Sequence, residues 1–128
     1  MSLEREIVNA PAAPAAIGPY SHAVRAGELL FCSAQIPLDP STGQLSGDTA
    51  AAQARVCLEN LSAVCEAASA SLARAVRVTL YMTDLADFAA VNEIYGEFFA
   101  SEPPARVAVG VAALPRGAYV AIDAVVAL

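Results

Sequence analysis

DTAAAQARVCLENLSAVCEAASASLARAVRVTLYM, residues 48–82, changes its hydrophobic period once, and that change sets the fold class. In its first part the apolar set is Ala54, Cys57, Leu58, Leu61, Val64, Cys65 and Ala68. Steps of 3, 1, 3, 3, 1 and 3 keep these residues on one face of an α-helix from Asp48 to about Ser71. Gln53, Arg55, Glu59, Asn60 and Glu66 fall on the opposite, polar face. From Ala73 to Met82 the period drops to two. Val76, Val78, Leu80 and Met82 alternate with Arg77, Thr79 and Tyr81, which predicts a strand with one apolar side. A helix and a strand in succession, each apolar on one side, call for helices layered on a sheet.

Working outward, Glu4–Val8 can form a short first strand, and residues 10–20 (APAAPAAIGPY) read as a loop. Ser21–Ala26 and Glu28–Ala34 predict a hairpin turning near Gly27, and residues 37–48 (PLDPSTGQLSGD) a turn-dense loop. Downstream, Thr83 or Asp84 can cap a second helix carrying Phe88, Val91, Tyr95, Phe98 and Phe99 on one stripe. Pro103-Pro104 ends it. Strands Ala105–Val111 and Ala118–Ala127 follow, joined by a Pro-Arg-Gly turn and expected to pair as a hairpin. The order is β-β-β-α-β-α-β-β: one α+β domain over residues 1–128, with two helices on one face of the sheet. The other face or an edge is left for a second subunit. With 57% hydrophobic and 16% charged residues, self-association is the expected outcome.

Composition narrows the chemistry. All seven basic residues are Arg, so a lysine Schiff base with pyridoxal phosphate or a carbonyl substrate is excluded. His22 is the single histidine, which leaves neither a multi-histidine triad nor a histidine-ligated zinc site, and no metal is expected. The net charge is −6 and the arginines are scattered, which argues against nucleic acid, whose affinity comes from neutralised phosphates. Charged or proline residues interrupt every apolar run, so no membrane span is expected. The polar start (Ser2, Glu4, Arg5, Glu6) is unlike a secretory signal and points to the cytoplasm. Cys32, Cys57 and Cys65 lie among apolar neighbours and read as buried thiols. Cys57 and Cys65, eight residues apart on a helix, are separated by roughly 12 Å, beyond disulfide reach.

Parity in the last two strands singles out two charges. Arg106 shares a face with Ala108 and Gly110, and Asp123 one with Ala121 and Val125. A hairpin centred near Pro115–Arg116 would set Arg106 beside Asp123 over a floor of small side chains. That arrangement is either a cross-strand salt bridge or a small pocket whose guanidinium receives a carboxylate in bidentate fashion.

Five separated stretches carry a resemblance: NAPAAPAAIGPYSHAV (9–24), FCSAQIPLDPSTG (31–43), YMTDLADFAAVN (81–92), PPARVAVGVAALPRGA (103–118) and VAIDAVVA (120–127). Together, in this order, they resemble the linked signatures of the RidA (YjgF) family. The resemblance implies a chorismate-mutase-like α+β subunit with a six-stranded sheet, a homotrimer with active sites between subunits, and no cofactor. It further implies hydrolysis of enamine and imine intermediates, 2-iminopropanoate and 2-iminobutanoate, to 2-keto acids and ammonia. On this resemblance Arg106 holds the substrate carboxylate, Tyr20 and Ser33 line the cleft, and Asn92 lies at the subunit boundary. Asp123 falls where the family's deaminases usually carry Glu, the acid that positions the attacking water. Ala34 stands where Gly is usual, Ala108 where many members have Cys, and His22 where Gln is common. The same cleft could serve a non-catalytic keto-acid or amino-acid sensor. A ribonuclease or translation-inhibitor role, also attached to the family, fits an acidic, lysine-free chain less well.

Overall fold

The computed structural model describes residues 4–128, so Ser2 of the polar start lies outside the described residues. Six strands are laid down as β1 (Arg5–Val8), β2 (Ala23–Ala26), β3 (Leu29–Gln35), β4 (Ala75–Met82), β5 (Ala105–Gly110) and β6 (Val120–Ala127). Two helices, α1 (Ala50–Ala67) and α2 (Phe88–Phe98), interrupt them in the expected order. The strands form one sheet ordered β1-β2-β3-β6-β4-β5, antiparallel except where β5 runs parallel to β4.

α1 begins at Thr49, whose side chain accepts a hydrogen bond from the Ala52 N–H at 3.1 Å. Its apolar stripe seats Leu58, Leu61 and Val64 on Leu30, Val78, Leu80, Ile122 and Val126, all fully buried. Each such side chain contributes about 1.5–3 kcal/mol by leaving water, which fixes the helix on this face. The helix stops at Ala67 rather than near Ser71, with Ser69 in the left-handed region at φ 57°. The Arg25 guanidinium, reaching over from β2, donates to the Ala68 carbonyl there.

Two polar residues placed on the solvent face are in fact buried. Gln53 accepts from the Tyr119 N–H at 2.7 Å and donates to the Gly47 carbonyl at 3.1 Å. Asn60 donates to the Leu38 carbonyl at 2.9 Å. Both amides satisfy loop backbone that crosses the helix, so they are buried because they are paired. Cys32, Cys57 and Cys65 are buried free thiols, and burial pushes the Cys57 thiol well above the ordinary range.

The expected hairpin of the last two strands does not form. β4 lies between them, pairing antiparallel with β6 and parallel with β5. The chain leaves β4, passes through α2 and returns as a parallel edge strand, a connection that needs a crossover and cannot be a tight turn. Residues 111–119 then pass beyond β4, with Arg116 at φ 60° in the turn at Pro115–Gly117, to reach β6. The helix-free face of the sheet carries Ile7, Leu29, Phe31, Val107 and Val109, each 36–46% exposed.

Candidate functional site

Strand pairing decides where the two charges go. Arg106 is in register with Val78, and Val78 with Ala124, so the arginine shares the side of the sheet covered by helices. Asp123 is opposite Thr79, one residue out of phase, and faces the other way. Arg106 and Asp123 therefore lie on opposite faces with β4 between their strands, and no pocket forms between them in one subunit. The expected juxtaposition fails because it assumed that strands close in sequence pair, while the parallel crossover separates them.

Arg106 is held by α2. Its Nη1 donates to Asn92 Oδ1 at 2.6 Å, and its guanidinium carbon lies 4.8 Å from the Tyr95 ring centroid and 5.2 Å from that of Phe88. Cation–π contact orients the plane. One of five donors is engaged by the Asn92 side chain, and no carboxylate pairs with the group among the described residues. Burial pushes the Tyr95 phenol up, and the charge of Arg106 offsets part of that rise. Ala108 follows two residues later on the same exposed edge strand, on the face of Arg106.

A second group of residues meets away from α2, where the 10–20 loop, β3, β4, β6 and the 111–119 connection converge. Ile17, Tyr20, Ser33, Ala34, Ile36, Tyr81, Leu114, Pro115 and Ala121 enclose a pocket of about 490 Å³. Ser33 Oγ donates to the Ser21 carbonyl at 2.6 Å, so its lone pairs remain as acceptors. Tyr20 Oη accepts from the Ile17 N–H at 3.3 Å, which leaves its proton free to donate. The loop bearing Tyr20 is pinned by His22. That ring is buried, accepts from the Ala10 N–H at Nδ1 (2.8 Å) and donates from Nε2 to the Pro14 carbonyl (2.7 Å). Both nitrogens are used by backbone, and His22 is a clamp.

Asp123 does not line this pocket; the β6 residue that does is Ala121. Asp123 sits in an adjoining hollow of about 250 Å³ with Phe31, Cys32, Arg77 and Thr79. Tyr81 borders both spaces and donates from Oη to Asp123 Oδ2 at 2.7 Å. This bond pushes the Tyr81 phenol above its ordinary range.

Of the residues read from sequence, Tyr20, Ser33 and Ala34 come together, Arg106 comes together with Asn92 and lies near Ala108, and Asp123 stands apart. Sequence reasoning missed Ile17, Ile36, Tyr81, Leu114, Pro115 and Ala121. Tyr81 had a usable signal, since its parity with Arg77 and Thr79 put it on the polar side of β4. Among the described residues no group of three or more His, Cys, Asp or Glu is arranged to hold a metal ion, and no helix is long and apolar enough to cross a membrane.

Comparison with known proteins gives a consistent result. A family model described as endoribonuclease L-PSP matches residues 10–128. The human 2-iminobutanoate/2-iminopropanoate deaminase is 43% identical over 124 residues, covering 97% of this chain and 90% of that protein. The crystal structure of RidA from the Antarctic bacterium Psychrobacter sp. PAMC 21119 is similar with a TM-score of 0.92 and 41% identity, covering 96% of this chain and 99% of that one. A structure of E. coli TdcF with bound serine gives a TM-score of 0.90 and 39% identity, covering 96% and 98%.

Proposed function

This chain belongs to the RidA (YjgF) family, described in its family model as endoribonuclease L-PSP, and on that premise we propose that it hydrolyses small 2-imino acids to 2-keto acids and ammonia. The observation that carries the reading is Arg106: a guanidinium fixed by Asn92, Phe88 and Tyr95, with most of its donors free, on an exposed edge strand. That is an anchor for a carboxylate.

The anchor and the pocket of Tyr20 and Ser33 face opposite sides of one sheet, so a single subunit cannot bring both to one ligand. A second copy can, by setting its β5 edge against the pocket of its neighbour. The exposed edge of β5 and the apolar helix-free face support such an assembly. We take it to be a homotrimer with one site at each boundary. The substrate carboxylate is gripped by Arg106 of one subunit, and C2 and the imine nitrogen lie in the neighbour's pocket. Holding the electrophile beside a confined water lowers the entropic part of the barrier. Attack at C2 gives a carbinolamine, and its collapse releases ammonia. These steps need an anchor, a water and groups that carry protons, and no cofactor enters them.

A carboxylate site without turnover would be a sensor, a reading favoured by the serine bound in the E. coli TdcF structure. Nucleic acid is a poorer fit to a chain of net charge −6 without lysine. Generating 2-iminopropanoate and 2-iminobutanoate in situ and following keto-acid release separates catalysis from sensing. The expected result is acceleration over the spontaneous rate by a protein that light scattering finds trimeric. An assembled protein that binds the keto acid without accelerating its formation would overturn the enzymatic reading.

A further inference from the structure

Imine hydrolysis requires that a proton leave the attacking water and that a proton reach the departing nitrogen. The pocket lining of Tyr20, Ser33, Ala34, Tyr81 and Ala121 with its apolar neighbours contains no carboxylate, imidazole or amine to carry them. The nearest carboxylate contact is one step removed. Tyr81 borders the pocket, and its hydroxyl is bonded to Asp123 Oδ2 at 2.7 Å in the adjoining hollow. Because the phenolic proton points to Asp123, the lone pairs of the same oxygen are left to accept a proton or hydrogen bond from elsewhere.

Resting on the deaminase reading above, we propose that Tyr81 and Asp123 form the proton relay of the site, with Tyr81 the member nearer the pocket and Asp123 a positioning residue that acts through it. The substrate enters as the protonated imine. Attack by water forms the C2–O bond and moves the C=N electron pair onto nitrogen. One water proton passes to Tyr81 Oη as the phenolic proton passes to Asp123. The return of a proton through Tyr81 to the amino nitrogen makes ammonia the leaving group. The C–N bond then breaks, the remaining hydroxyl becomes the keto oxygen, and its proton leaves with ammonia as ammonium. Asp123 and Tyr81 end as they began, and no oxidant or other reactant is used. A phenol tied to a carboxylate stays protonated at neutral pH, as the relay needs, and the hydrogen bond to Asp123 is the largest cause of the upward shift. Arg77 and Thr79 of β4 also border the hollow, while Cys32 of β3, in register with Ala124, turns its thiol to Cys65 on the helix side.

The test uses the assembled protein with Tyr81→Phe, Asp123→Asn, Asp123→Glu and the double variant Tyr81→Phe/Asp123→Asn. Tyr81→Phe should lower kcat by at least about tenfold, on the order of 100-fold if the relay is the main proton path, with KM changed less than about twofold. Asp123→Asn should also lower kcat and displace the pH profile, while Asp123→Glu should recover part of the loss. The double variant should be no slower than Tyr81→Phe alone, because Asp123 has no route to the substrate except through the phenol. Wild-type kcat in Tyr81→Phe, or losses that multiply in the double variant, would overturn the relay. If Tyr81→Phe does not assemble, the Asp123 series decides: equal kcat in wild type, Asn and Glu overturns it. Failure of the underlying reading looks different, since the wild-type trimer itself would then not accelerate hydrolysis.

Discussion

Replacing Arg106 by alanine removes a guanidinium whose local attachments are known, so the size of the effect can be worked out. Within the subunit the side chain gives one donor to Asn92 and rests on Tyr95 and Phe88. Two cation–π contacts at about 0.5–1 kcal/mol each and the Asn92 hydrogen bond at about 0.5–1.5 kcal/mol set a loss of roughly 1.5–3.5 kcal/mol in stability, too little to unfold the domain. Toward a bound carboxylate the group can offer two parallel charge-assisted hydrogen bonds, each contributing about 1.5–3 kcal/mol. Their combined loss of about 3–6 kcal/mol corresponds to roughly 10²–10⁴ in kcat/KM. Arg106→Lys keeps the charge and the aromatic contacts but not the fork, so it should lie between, at roughly 10- to 100-fold. The assay is enzyme-dependent release of pyruvate and 2-oxobutanoate from imines made in situ, on variants whose assembly is verified by light scattering. A trimeric Arg106→Ala protein within about threefold of wild-type kcat/KM would refute the anchor role, since even one lost bond exceeds that.

Three further outcomes follow from other parts of the structure. His22→Ala strands the Ala10 N–H and the Pro14 carbonyl, so thermal melts should show a loss of about 2–4 kcal/mol and KM should rise as the Tyr20 loop loosens; an unchanged Tm would remove the clamp role. Ala121→Leu adds bulk to the pocket wall and should cut kcat/KM for imines with long apolar side chains more than for 2-iminopropanoate, while equal losses would put the substrate side chain elsewhere. The phenol of Tyr81 titrates above its usual 10, so its bond to Asp123 stabilises the fold fully below about pH 10 and is lost as pH rises through the higher folded value. The stability difference between wild type and Tyr81→Phe should therefore be flat from pH 7 to about 10 and shrink above it; a decline already under way near pH 8 would contradict the sign.

What could be read from the sequence was local. The stripe of Cys57, Leu58, Leu61, Val64 and Cys65 is the buried face of α1, because one helix folded against one sheet leaves an unambiguous period. Parity was sound in β5 and β6, where Arg106 does share a face with Ala108 and Asp123 with Ala121. It broke at the start of β4, where a bulge between Ala75 and Arg77 leaves Val76 exposed, and Thr79, read as polar-side, is buried. What parity lacks is the identity of the neighbouring strand. That is fixed by α2 carrying the chain across to a parallel edge, so the placement of Arg106 relative to Asp123 could not be read from either strand alone. Gln53 and Asn60 misled for a related reason, since their buried amides answer loop carbonyls and N–H groups 6 to 66 residues away in sequence. Tyr20, Ser33 and Ala34 were found through resemblance to the family, whereas Leu114, Pro115 and Ala121 reach the pocket through a connection whose path depends on the sheet order.

The placement of Arg106 and the Tyr20 pocket on opposite sides of one sheet has a genetic consequence. If each working site takes its anchor from one polypeptide and its pocket from the next, two alleles that are each defective toward bulky imines can restore one another. Arg106→Ala subunits keep intact pockets, and Ala121→Leu subunits keep intact anchors. Denaturing both together and refolding them at equal concentration should produce mixed rings in which about one boundary in four pairs the two sound halves. Activity toward bulky imines would then rise, in a mixture of two proteins, above what either shows alone.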